Sequence, residues 1–272
     1  SKTPCMNNVI YPEDIQMVDY YVIDDKGVLV ASQRNNQVEL QEDYIQTLST
    51  GSGIFSVVAW AGLNSDLYDI ASIQPRAMSK ESLTFRLKRE EGQAVPLENN
   101  TLYYGESPTV FIQDPKDVGS VFESVTINMR EITNRITVIV EGLPNPADYE
   151  VEIEDANGSM NMDGSIAEDE ILMYNSPTLV RDGYLQSEFT LLKLETGYHD
   201  TLIIKSKSTG RELYRGNLLG TLLLKNPDVN LACDHDFTIR FTTRDVCECG
   251  TYIITSIWVN NWLVHSYDTE LE

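Results

Sequence analysis

The chemistry available to this 272-residue chain rests on four cysteines, three histidines and a surplus of carboxylates. Soft metal ligands gather near one end as Cys233-Asp234-His235, Cys247-Glu248-Cys249 and His265. Zinc knuckles usually space paired ligands by roughly two to four residues. The C-x-H and C-x-C pairs here are tighter, so no zinc site is expected. In a strand, positions i and i+2 share a face, and either Cys247 or Cys249 can oppose Cys233 across a hairpin to form a disulfide. The other reading is three small core residues with free thiols. Residues 155–166, DANGSMNMDGSI, place Asp155, Asn157, Ser159 and Asn161 at alternate positions, as a calcium loop does. Met160 stands where that loop needs glycine, and Ile166 where it needs a bidentate glutamate. A hairpin rich in turn formers is the simpler expectation.

Catalytic signatures are missing. TGSGIF (50–55) brings glycine and serine together without a G-x-S-x-G elbow, and neither a P-loop nor H-E-x-x-H occurs. His199, His235 and His265 are scattered, with no nucleophile–base motif joining them. No glycosidase pair stands out among 42 acidic residues. A protein that is not an enzyme and needs no cofactor or metal is expected.

Period-two alternation runs through the elements that carry these residues. YEVEIED sets Tyr149, Val151 and Ile153 against Glu150, Glu152 and Glu154, and DFTIRFTT sets Phe237, Ile239 and Phe241 against polar neighbours. LTFRLKRE alternates Leu83, Phe85 and Leu87 in the same way. These are half-buried strands of antiparallel sheet. FSVVAWAGL (55–63), RITVIVEGL (135–143) and TLIIKSK (201–207) are more continuously apolar and read as central strands. DDKG (24–27) and STGREL (208–213) supply hairpin turns. Helical signals are limited to residues 37–48 and, weakened by a glycine, 176–189. The fold class is therefore all-β. The best boundary is QDPKDVGS (113–120), between the strand-like TVFI and the strand-like SVTINM, which divides the chain into β-sandwiches of residues 1–116 and 117–272.

Twenty basic residues against 42 acidic ones leave a net charge of −22, which argues against nucleic acid and anionic lipid as partners. Hydrophobic residues make up 42% of the chain, enough for packed cores. No apolar run is long enough to span a membrane as a helix. The opening SKTPCMNNVIYPED has no signal-peptide pattern, so any export signal is expected either to have been removed or never to have been present. Against this acidity, YIITSIWVNNWLVHSYDTEL (252–271) is an unusually apolar ending.

The order of YYVIDDKGVLV, GIFSVVAWAGL, LYYGESPTVFI, VTINMREITNRITVIVEGLP and SIWVNNWLVHSYDTEL resembles the fimbrillin-associated anchor family of Bacteroidetes, lipoproteins of the type V pilus. The resemblance spans nearly the whole chain. It implies two tandem transthyretin-like β-sandwiches, a cell-surface location at the outer membrane, and a role in pilus assembly and cell adhesion. It also implies a lipid on an N-terminal cysteine. Lys2, Thr3 and Pro4 make Cys5 a poor lipidation site, so that cysteine is expected upstream of Ser1 and absent from this chain.

Partners implied by the resemblance are other pilus subunits, joined by strand exchange. In an anchor, the N-terminal strand within Ile15–Ile23, with Val18, Tyr20 and Val22 along one face, is expected to stay attached and fill its own groove. No arginine precedes Arg34, and Lys26 lies within the DDKG turn. Ile257, Val259, Trp262 and Val264 form either the last strand of their own sandwich or a donor for a neighbour; direct continuity with TYIIT favours the former. The alternative function is an extracellular polysaccharide-binding module that meets host or bacterial glycans. Tyr103, Tyr104 and Trp60 are its candidate stacking residues, although Trp60 lies in an apolar strand.

Overall fold

The computed structural model describes residues 10–224, 229–246 and 251–266. Strand accounts for 47% of the structure and helix for 6%, so the protein is all-β. Among the described residues no helix is long and apolar enough to cross a membrane.

The chain forms two compact units, each built from three stretches of sequence. The first comprises Ser1–Lys88, Asn100–Ile132 and Ser159–Ala167; the second comprises Arg89–Asn99, Thr133–Gly158 and Glu168–Glu272. The Asp114–Gly119 stretch lies within the first unit, where the Asp114 side chain caps a helical turn at Pro115–Val118.

In the first unit a six-stranded sheet runs in the order Arg130–Glu131, Tyr103–Glu106, Gly53–Ala61, Val18–Asp24 and Leu29–Asn35. Val110–Ile112 pairs with the Gly53 end of the central strand. A second sheet of three strands, Ser159–Asn161, Thr84–Leu87 and Tyr68–Ile70, packs against one face. The contact is aromatic: the fully buried Trp60 meets Phe85 edge-on at 5.0 Å, and Tyr21 lies 6.3 Å from the same ring. The Trp60 indole N–H donates to the Met162 carbonyl at 3.3 Å, which ties the late segment 159–167 into this core. At Gly62 (φ 89°), a Cβ would stand 2.1 Å from the Thr101 carbonyl oxygen, so the turn after the central strand admits no side chain.

In the second unit a sheet runs Leu179–Arg181, Tyr184–Leu191, Asn134–Glu141, Asp236–Asp245, Tyr252–Val259 and Trp262–Ser266. Its facing sheet runs Glu212–Asn217, Asp200–Ser206, Tyr149–Asp155, Leu172–Asn175, Gln93–Ala94 and Arg89–Glu90. Pairing is antiparallel except between Asn134–Glu141 and Asp236–Asp245, and at the Met173–Gln93 bridge, which are parallel. Alternate residues Ile136, Val138 and Val140 are buried, as the alternation predicts, together with Phe237, Ile239 and Phe241. Tyr214 from one sheet meets Phe241 of the other at 4.8 Å. The Arg89–Asp169 ion pair, 2.6 Å and nearly buried, holds the short 89–99 segment in this sheet.

Several local expectations are corrected. Residues 176–189 form a hairpin, not a helix: Asp182 and Gly183, both at positive φ, make a tight turn between Leu179–Arg181 and Tyr184–Leu191. Glycine there serves the turn that it would have spoiled as a helix. Residues 37–48 form no helix either, and their apolar side chains pack flat on a sheet. SVTINM (124–129) alternates like a strand but pairs with nothing regular. A six-residue helix, Leu218–Leu223, escapes the sequence reading because it is too short to show a period.

Candidate functional site

The N-terminal strand is the self-complementing element that the resemblance implies, and its surroundings decide what it can do. VDYYVI is apolar at both odd and even positions, the pattern of a strand covered on both faces. Val18–Asp24 accordingly sits between two neighbours. It pairs antiparallel with Gly53–Ala61, from Val18 opposite Ala61 to Asp24 opposite Phe55. On its other side it pairs with Leu29–Asn35, from Val18 opposite Asn35 to Ile23 opposite Leu29. Tyr21 points to the sandwich core beside Phe85. Val18, Tyr20 and Val22 point the other way, into a second apolar layer with Phe55, Val57, Ala59 and Ala61.

That second layer is roofed by irregular chain. Ile15, Val38, Leu40, Tyr44, Leu48, Ile127 and Met129 cover it. Nothing in the periodicity of residues 37–48 or 120–129 announces this role; the only signal was apolar residues in segments that form no strand. The Tyr20 hydroxyl lies 3.0 Å from that of Tyr44, and burial followed by this contact pushes the Tyr20 phenol well up. Asp19 is buried and takes both Arg34 Nε (2.7 Å) and Nη2 (3.0 Å). Burial raises its carboxyl pKa while the guanidinium opposes the rise. The turn is locked as well, because Asp24 Oδ1 accepts from the Lys26 and Val28 amides at 2.9 and 2.8 Å. Lys26 itself is exposed at the tip. Removing Val18–Asp24 would thus leave a full-length slot between two strand edges, lined on both faces by apolar side chains.

The C-terminal segment forms a hairpin. Asn260 (φ 46°) and Asn261 (φ 70°) turn the chain between Tyr252–Val259 and Trp262–Ser266, which are paired antiparallel. Two positive φ values in a two-residue loop match the twist of the flanking strands. Ile257, Val259 and Val264 are buried in the second unit's own core, whereas Trp262 is 59% exposed at the turn.

The remaining candidates separate. Cys233 is disulfide-bonded, which removes it as a zinc thiolate. Cys247 and Cys249 lie outside the described residues, as does Cys5. Of the calcium-loop candidates, Asp155 and Asn157 belong to the second unit and Ser159 and Asn161 to the first. Asn157 is spent on the Leu192 and Lys193 carbonyls and the Tyr174 hydroxyl. Among the described residues no group of three or more His, Cys, Asp or Glu is placed to hold a metal. Asp155 is paired across strands with Asp200. Burial, then the Asp200 charge, push Asp155 up to about 8, so at neutral pH it mostly keeps its proton. Of the candidate stacking residues, Trp60 and Tyr104 are buried 5.2 Å from each other and present no face to a ligand, whereas Tyr103 is half-buried with its hydroxyl on Asp14.

Comparison with known proteins agrees with this architecture. The family described as fimbrillin-A associated anchor proteins Mfa1 and Mfa2 matches residues 2–268. The chain is 34% identical over 278 residues to the minor fimbrium anchoring subunit Mfa2 of Porphyromonas gingivalis, covering 100% of this chain and 85% of that one. The solved fimbrial anchor protein Mfa2 from Porphyromonas gingivalis superposes with a TM-score of 0.88 at 33% identity, over 98% of this chain and 96% of the other. A Bacteroides thetaiotaomicron structure named as a candidate polysaccharide-binding protein shares the fold, with a TM-score of 0.79 at 24% identity over 95% and 92% of the two chains. With a family match that runs from one end of the sequence to the other and a fold shared at that level, the chain belongs to the fimbrillin-A associated anchor proteins Mfa1 and Mfa2.

Proposed function

We propose that this protein acts as a non-enzymatic anchor or minor subunit of a cell-surface fimbria, serving pilus assembly and cell adhesion. It joins its neighbours by β-strand complementation while its own first strand keeps its groove closed. The observation that carries this reading is the central, doubly paired and doubly covered position of Val18–Asp24. A strand held in this way leaves no vacant acceptor slot, so a fibre stops growing at such a subunit. Retention in cis is also favoured by tethering, which gives the strand an effective concentration on the order of millimolar. A lipid on a cysteine upstream of Ser1 would fix the protein to the outer membrane. The terminal strand, with Ile257, Val259 and Val264 in its own unit's core, is structural in this reading and not a donor.

The test is the position of the protein on fibres. Purified fimbriae assembled in its presence and labelled with antibody should carry a single copy at one end. Copies spaced along the shaft would identify a stalk subunit and overturn the anchor reading.

A further inference from the structure

We propose that the outer face of the C-terminal hairpin is a binding subsite for one neutral sugar ring, stacked on Trp258 and hydrogen-bonded by Thr238, Arg240 and Asn261. The alternation of the two strands sets up the surface. Phe237, Ile239 and Phe241 are buried on one strand and Ile257 and Val259 on the next, so Thr238, Arg240 and Trp258 project to the opposite side. Register places Trp258 opposite both Arg240 and Leu263. A depression of about 160 Å³ opens there, lined by Thr238, Arg240, Trp258 and Asn261. It is smaller than the range usual for drug-sized ligands, and suits one ring rather than a chain.

Each lining group has a distinct capacity. The Trp258 indole N–H is spent on Ser256 Oγ at 3.1 Å, which fixes the half-buried ring as the aromatic part of the lining. The two turn asparagines divide their work. Asn260 Oδ1 accepts from the Thr238 amide at 2.7 Å and so builds the turn. Asn261 is exposed, and among the described residues its carboxamide has no hydrogen-bond partner. The Thr238 hydroxyl is likewise uncommitted among the described residues. Arg240 is already paired with Glu141, so the pocket carries donors and acceptors without net charge. With −22 on the whole chain, an anionic ligand is repelled. An aromatic face flanked by an amide, a hydroxyl and a neutralised guanidinium matches the C–H face and hydroxyl rim of a neutral hexose.

The experiment titrates the intact protein with the methyl glycosides of glucose, galactose, mannose and N-acetylglucosamine, followed by saturation-transfer NMR and calorimetry. At least one should bind saturably, with a Kd in the range of about 1–10 mM. Trp258→Ala and Asn261→Gly should each weaken it about tenfold or more; glycine keeps the positive φ of the turn. Trp262→Ala should leave binding unchanged, because Trp262 pairs with the inward-facing Val259. Should Trp258→Ala fail to fold, Trp258→Leu and Asn261→Gly carry the same comparison. Absence of saturable binding by all four glycosides up to about 50 mM, or equal affinity in folded Trp258 and Asn261 variants, would overturn the proposal.

Discussion

A chain that begins at Gly27, lacking the Val18–Asp24 strand, should fail to fold its first unit alone and should recover on adding a peptide of residues 10–25. Val18, Tyr20, Tyr21, Val22 and Ile23 are all buried. At about 1.5–3 kcal/mol for each large apolar side chain, the strand contributes roughly 10 kcal/mol of burial. That equals the net stability of a typical domain, about 5–15 kcal/mol. Its loss also orphans the ladder hydrogen bonds of Gly53–Ala61 and Leu29–Asn35, which face it from both sides. The truncated chain should bind hydrophobic dye and lack a cooperative melt for the first unit. Peptide in trans should restore the melt, and a Val22→Asp peptide should not. A truncated chain that melts like the intact one would show that the strand is an accessory.

Trp60→Ala has the next largest expected effect, a loss of about 3–5 kcal/mol from the first unit. The side chain is fully buried, packs against Phe85 and Tyr104, and donates to the Met162 carbonyl. Truncation leaves a cavity and an unpaired carbonyl in the segment that joins this core from far along the chain. Trp60→Phe keeps most of the volume and should cost less. Urea unfolding of the purified variants checks the order. Near wild-type stability for Trp60→Ala would mean that segment 159–167 is held without the aromatic cluster.

Much of this fold was legible because long strands carry their own signal. YEVEIED and DFTIRFTT show a polar and an apolar face, and both became sandwich strands with the expected side inward. VDYYVI is apolar on both faces, and the structure shows why: Tyr21 meets the aromatic core on one side while Val18, Tyr20 and Val22 meet a second apolar layer on the other. What was hidden lies in short or irregular chain. Gln93–Ala94 and Arg89–Glu90 are strands of two residues, and Ser159–Asn161 of three, too brief for any period to register. They are nevertheless the segments that give each unit its threaded composition. Residues 124–129 mislead in the opposite sense: the alternation is real, but it serves a roof over the Val18–Val22 layer, with Ile127 and Met129 facing down. The site residues follow the same rule. Val18, Tyr20 and Val22 could be named from pattern and resemblance, whereas Tyr44 and Arg34, which lock that strand, could be identified only from contacts made in three dimensions.

The central claim is that the first strand stays in its own groove, and limited digestion of the folded protein by an arginine-specific protease tests it most directly. Arg34 is the first arginine in the sequence, and it lies in a paired strand with its guanidinium clasped by Asp19 and reaching the Leu63 carbonyl. Mass spectrometry after digestion, with a stalk-subunit donor peptide present, should find residues 10–34 still joined to the chain and no peptide bound. Clean cleavage after Arg34, release of the strand and uptake of the donor peptide would show an acceptor subunit and contradict the account.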